Sequence, residues 1–134
     1  GKVFAIEPVS YMDDPKTAAA WDALKKRQPN VELVVGPPGE APMPDKLDAA
    51  FFHLTYHDLY WQSEQYKYPR MEVDPYNARL FAAMKPGGVV IIIDHYGVPG
   101  MDSRAQADKT HRIDAEVVKA DMARAGFRFA GSVP

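Results

Sequence analysis

Four histidines and several carboxylates supply most of the chemistry this sequence can do. His53 and His57 stand four residues apart, Asp58 follows His57, Asp94 precedes His95, and His111 lies shortly before Asp114. An imidazole beside a carboxylate can take or give a proton near neutral pH, and it can also ligate a metal. The His53 to His57 step matches the spacing of helical metal ligands, but the surrounding residues read as a strand running into a loop, so no metal is assigned from it. A buried structural role serves His53 equally well, as does a first-turn helical role for His111. Glu7 closes the apolar run 2–6. A carboxylate at a strand end can accept two ribose hydroxyls, or can simply be solvated. Tyr56, Tyr60, Trp61, Tyr66 and Tyr68 either wall a pocket for a planar substrate or fold their loop back on the sheet.

The elements that must position these groups alternate between strand and helix. The run 2–6 reads as a buried strand ended by Pro8. Asp14-Pro15 is a cap followed by a first-turn proline, opening a helix with Ala18, Trp21 and Leu24 on one face and Lys25-Lys26-Arg27 at its end. A β-branched strand at 31–35 enters a Pro- and Gly-rich loop that reaches Pro44, and residues 47–54 form a third strand. Residues 62–70 show no period and read as a loop or lid. Asp74-Pro75 repeats the cap-then-proline signal, with Leu80, Phe81 and Met84 on one face and Lys85-Pro86-Gly87-Gly88 as the stop. The unbroken apolar run 89–93 predicts a strand covered on both faces. Residues 96–109 read as a long loop. Thr110 then caps a helix carrying Ile113, Val117, Val118, Ala120 and Met122, closed at Gly126, and a last strand begins at Phe127. The helical stripes, Trp21, Leu24, Phe81 and Met84, are expected in the core. This order specifies an α/β protein with a mostly parallel sheet. Ligands in such a sheet bind beyond the carboxyl ends of the strands, where Glu7, Gly36-Pro37, residues 53–58 and Asp94-His95 fall. No Gly-rich turn follows the first strand.

Composition narrows the classes of partner. The chain has 134 residues, of which 46% are apolar and 25% charged, with 16 Lys and Arg against 18 Asp and Glu. That near-neutral balance, without a basic run, lacks the footprint of a nucleic-acid or anionic-membrane binder. The absence of Cys removes disulfides, zinc-thiolate sites and cysteine nucleophiles. The longest aliphatic run falls far short of the ~20 residues that span a bilayer. A small-molecule substrate is the expected partner, with no nucleic acid and no membrane, and the oligomeric state is left open. The expected compartment is the cytoplasm, and export would need a signal peptide ahead of Gly1.

Several segments together resemble a known family. Lys2-Val3-Phe4-Ala5-Ile6-Glu7-Pro8, Tyr56-His57-Asp58-Leu59, Met84-Lys85-Pro86-Gly87-Gly88 with its strand into Asp94-His95, and His111-Arg112-Ile113-Asp114 resemble, in this order, the class I S-adenosylmethionine-dependent methyltransferases. More narrowly they resemble a bacterial group of predicted methyltransferases with Tyr-His-Asp and His-Arg-Ile-Asp motifs. The resemblance implies a Rossmann-like three-layer sandwich in which residues 1–134 form one domain running from the family's second strand onward. The first strand with its Gly-rich motif and the terminal strand pair would lie outside the chain, leaving a fragment truncated at both ends. It also implies S-adenosylmethionine as cofactor. Glu7 would hold the ribose, Gly36 and Pro37 would meet the adenine, and His53, Leu54, Thr55 and Tyr56 would pass beside the methionine part. His57 or His95 would serve as base, with Asp58 or Asp94 orienting the imidazole. Two other readings use the same residues: a non-catalytic ligand- or partner-binding domain of this fold, and a metal-binding protein built on the histidines. A nicotinamide dehydrogenase ranks low, because the expected Tyr-x3-Lys pair is absent: Tyr56 and Tyr60 are followed at the fourth position by Tyr60 and Glu64.

Overall fold

The computed structural model of the chain describes residues 1–133. They form two compact units, one from Gly1–Pro44 with Ser63–Pro69, the other from Asp45–Gln62 with the chain from Arg70 onward.

In the first unit, strand β1 (Val3–Pro8) pairs in parallel with β2 (Val31–Gly36), with Glu7 opposite Val35 and Pro8 opposite Gly36. A 3-10 turn, Val9–Asp13, leads from β1 into helix α1 (Pro15–Arg27), the crossover between the two strands. The Asp14 side chain caps α1 by accepting from the backbone N–H groups of Lys16 at 3.2 Å and Thr17 at 3.1 Å, and Pro15 supplies the fixed φ of the first turn. After β2 the chain turns back at once. The Pro37 carbonyl accepts from Glu40 and Ala41, and Ala41 closes over Gly36 so tightly that a Cβ there would lie 2.6 Å from the Ala41 backbone. Residues 62–70 are not free of structure: Ser63 and Tyr68 form an antiparallel bridge with Tyr68 buried.

In the second unit, β3 (Leu47–His53) pairs in parallel with β4 (Met84–Ile93). The crossover is helix α2 (Val73–Ala83), which starts just before the Asp74-Pro75 signal and runs directly into β4, because the Lys-Pro-Gly-Gly turn lies within the extended segment. Met84 is therefore a strand residue rather than the last apolar residue of a helix. Helix α3 (Ser103–Thr110) occupies part of the expected long loop, with Asp102 accepting from Ala105 N–H at 2.8 Å as its cap. Helix α4 (Ala115–Ala125) is capped by Asp114, not Thr110, and ends at Gly126 with φ 110°. The expected last strand is absent: residues 127–133 carry no strand.

The buried apolar residues of this unit include Tyr56, Leu59, Leu80, Ala107, Ile113 and Met122. Phe52 faces this core, edge-on to Tyr56 and Tyr76. The opposite face of the β3–β4 ladder, carrying Phe51, Val89, Ile91 and Ile93, is exposed, so β4 is covered on one face and not on both. Nor are the helical stripes uniformly core. Phe81 is 45% exposed, although its ring meets Phe127 edge-on, and Trp21 and Leu24 are half-buried.

The fold class is α/β with small parallel sheets. Among the described residues no helix is long and apolar enough to cross a membrane.

Candidate functional site

The carboxyl ends of β3 and β4 lie side by side, because His53 pairs with Ile93 and the Leu54 N–H donates to the Ile93 carbonyl at 2.8 Å. Each strand then delivers one reactive group. From β3 the chain passes Leu54, in the left-handed region at φ 59°, into a 3-10 turn His57–Leu59 that sets His57 and Asp58 next to each other. From β4 the next residue is Asp94. Its carboxylate receives three hydrogen bonds: Oδ2 accepts from the His57 backbone N–H at 2.9 Å, and Oδ1 from the His95 backbone N–H at 2.7 Å and from His57 Nδ1 at 2.8 Å.

His111 joins this pair from a third direction. Tyr96 and Ile113 form a parallel bridge, with the Ile113 N–H donating to the His95 carbonyl at 3.1 Å and the Gly97 N–H to the Ile113 carbonyl at 2.8 Å. That ladder carries His111 over the rim, where it ends α3 in the left-handed conformation at φ 50°, not in the first turn of a helix. Its ring lies 5.3 Å from that of His57 and 5.4 Å from Trp61, and Asp58 Oδ1 stands 3.3 Å from His57 Nε2 and 4.0 Å from His111 Nδ1. The preceding segment is pinned as well. Val98 N–H donates to the buried Gln106 side chain, Gly97 leaves no space for a Cβ beside that amide, and Gly100 N–H donates to Asp114 at 3.0 Å.

The electrostatics fix which nitrogen of His57 meets Asp94. Burial works against the Asp94 carboxylate, yet the bonds from the His57 ring and the two backbone N–H groups outweigh it and hold Asp94 below the usual carboxylate range. An ionised Asp94 is acceptor-only, so Nδ1 is the donor of this bond and Nε2 is the ring nitrogen that faces Asp58. For His57, burial disfavours the imidazolium, but the Asp94 hydrogen bond and the negative charges of Asp58 and Asp94 win, and its pKa is raised. Burial raises Asp58, only partly offset by His57 and His111. The arrangement is a proton acceptor held in one orientation at a strand-end rim.

The remaining sequence candidates fall elsewhere. Tyr56 is completely buried, its hydroxyl donating to Asp121 at 3.1 Å and accepting from Asn77 at 2.8 Å, so it offers no surface to a cofactor. Tyr60 also donates to Asp121, at 2.8 Å. Tyr56 and Tyr60 thus fold their loop back on the core, whereas Trp61 stands at the rim beside His111 and Tyr66 is 55% exposed. His53 is exposed and stacks on Phe51, and Leu54 and Thr55 are exposed. His95 is exposed; it contributes backbone bonds, while the ring that completes the cluster is that of His111. In the other unit, Glu7 is half-buried with its pKa raised by that burial, Gly36 is buried beneath Ala41, and Pro37 is exposed. The sequence left open whether Asp58 or Asp94 orients the His57 ring, a choice that the β3–β4 pairing makes for Asp94; the arrival of His111 escaped it, since only the ladder of residues 95–97 with 113 brings that ring to the rim.

No protein-family model matches the chain, and no curated protein is similar enough to it to show kinship.

Proposed function

We propose that the chain is part of a class I S-adenosylmethionine-dependent methyltransferase acting on a small-molecule acceptor, with a Rossmann-like sheet. The observation that carries this reading is the strand pairing. In that family's sheet the strands corresponding to β1 and β2 are neighbours, those corresponding to β3 and β4 are neighbours, and one central strand stands between the pairs. Without that strand, two separate two-stranded parallel ladders remain, β1 with β2 and β3 with β4. On this reading the missing strand and its Gly-rich turn come from sequence outside these residues. Two further features support it: a half-buried carboxylate, Glu7, at the carboxyl end of β1, suited to ribose hydroxyls, and an oriented His57 beyond β3.

The cofactor supplies an electrophilic methyl group on a sulfonium. That group would go to an acceptor oxygen or nitrogen, whose proton must leave. Nε2 of His57 would take that proton, because Nδ1 is engaged by Asp94. Asp94 holds the ring in place and stabilises the imidazolium that forms.

Titration calorimetry of S-adenosylmethionine and S-adenosylhomocysteine into the full-length protein tests the reading. Binding should be weakened by Glu7→Ala by about 1.5–3 kcal/mol, the worth of hydrogen bonds to a charged group. His57→Ala should leave that affinity in place and lower turnover by ~10²–10⁴. Absence of binding by both ligands overturns the reading.

A further inference from the structure

We infer that His57, Asp58 and His111 form a binding site for a divalent first-row transition metal of the zinc type. The inference stands on the geometry of the cluster and not on the methyl-transfer reading. One ligand-type atom from each of the three residues lies within 4.8 Å of the other two. Two ligands held about 2.0–2.2 Å from a tetrahedral ion lie roughly 3.3–3.6 Å apart, and His57 Nε2 and Asp58 Oδ1 are already 3.3 Å apart. His111 Nδ1 lies 4.0 Å from the same oxygen, and its side chain, 52% exposed, has room to turn inward onto an ion.

The donor inventory points the same way. Nδ1 is committed to Asp94, so Nε2 and a carboxylate oxygen of Asp58 face one another, an arrangement that calls for a cation or a proton between them. A carboxylate bonded to the far nitrogen of a ligating histidine is the usual means of fixing tautomer and ring orientation at a metal, and Asp94 stands in that place. The ligand set, two imidazoles and one carboxylate, suits zinc and its neighbours rather than magnesium or calcium, which prefer all-oxygen shells. Three protein ligands leave a fourth position for water or a substrate atom. Metal occupancy uses the same lone pair that would take a proton, so a bound ion silences His57 as a base.

Zinc and cobalt(II) titrated into the full-length protein, followed by calorimetry and by the visible spectrum of cobalt, decide the matter without reference to methyl transfer. Saturable binding at one ion per chain with a tetrahedral cobalt spectrum is expected. His111→Gly removes a ligand yet retains the left-handed backbone, and should weaken binding at least ~10-fold; Asp94→Asn should weaken it by ~10–100-fold. His95→Ala should bind as the parent does, and far-ultraviolet circular dichroism verifies that each variant is folded. No saturable binding, binding unaffected in a folded His111→Gly, loss of binding in His95→Ala, or binding of magnesium alone would each overturn the site. S-Adenosylmethionine binding is read separately, so either proposal can fail while the other stands.

Discussion

At the scale of residues, the Asp94–His57 pair makes its own prediction. Asp94 is depressed, so its contribution to stability is present above its unfolded pKa and is lost as the pH falls through the folded value. His57 is raised, so its contribution is complete below its unfolded pKa and is lost as the pH rises through the folded value. Both act together between about pH 4 and pH 6.5, set by the unfolded values of the two side chains. Asp94→Asn should therefore destabilise the protein by about 1.5–3 kcal/mol within that window, with a smaller effect on either side. Thermal unfolding of both proteins across the pH range checks this, and a difference independent of pH would mean that the pair does not titrate as described. The residue types at this rim were readable from sequence, because strand ends in α/β proteins collect polar groups. Which histidine meets which carboxylate was not, since His57 and Asp94 are 37 residues apart and adjacency to Asp58 or His95 in the chain says nothing of the partner across the strands.

The elements are a second matter. Helix α1 was legible because its cap and first-turn proline are local chemistry that no distant contact overrides. Helix α3 was not: Ser-Arg-Ala-Gln-Ala-Asp-Lys-Thr has no large apolar side chain and hence no period, and the helix rests on the Asp102 cap and on buried Gln106 and Ala107. The C-terminal strand was expected from composition alone, and strand formation depends on a partner that the sequence around Phe127 does not supply. Between α2 and α4 the contact is more polar than their apolar stripes suggest. Asp121 is 1% exposed and accepts from Tyr56, Tyr60 and Arg124, while Arg124 also reaches Asp74 at 2.9 Å. Asp121→Ala leaves the buried Tyr56 and half-buried Tyr60 phenols without their acceptor and should cost about 3 kcal/mol in urea unfolding, against about 1 kcal/mol or less for Asp74→Ala at the exposed end of the network. Equal costs for the two variants would show that the buried bonds carry no special weight.

For the whole molecule, the α/β class followed from the alternation of elements, but which strands pair follows only from the structure, since parallel pairing is set by crossovers and not by local pattern. The five-residue run at 89–93 implied burial on both faces; the ladder half-buries Phe52 and leaves Phe51 60% exposed, with Ile91 at 48% and Ile93 at 49%. A run of apolar residues states what a strand can tolerate, not what covers it. This apolar sheet face should bind anilinonaphthalene sulfonate, and Phe51→Glu with Ile91→Thr should reduce the fluorescence severalfold without loss of secondary structure. Unchanged dye binding in that variant would place the exposed apolar surface elsewhere.

The same face carries a thermal signature. Attraction between apolar surfaces weakens on cooling and strengthens in sulfate. Any self-association through Phe51, Val89, Ile91 and Ile93 should therefore dissolve in the cold and return on warming. Light scattering of the same sample at 5 and 35 °C, with and without ammonium sulfate, would reveal a protein whose handling temperature, rather than its fold, decides whether it travels alone.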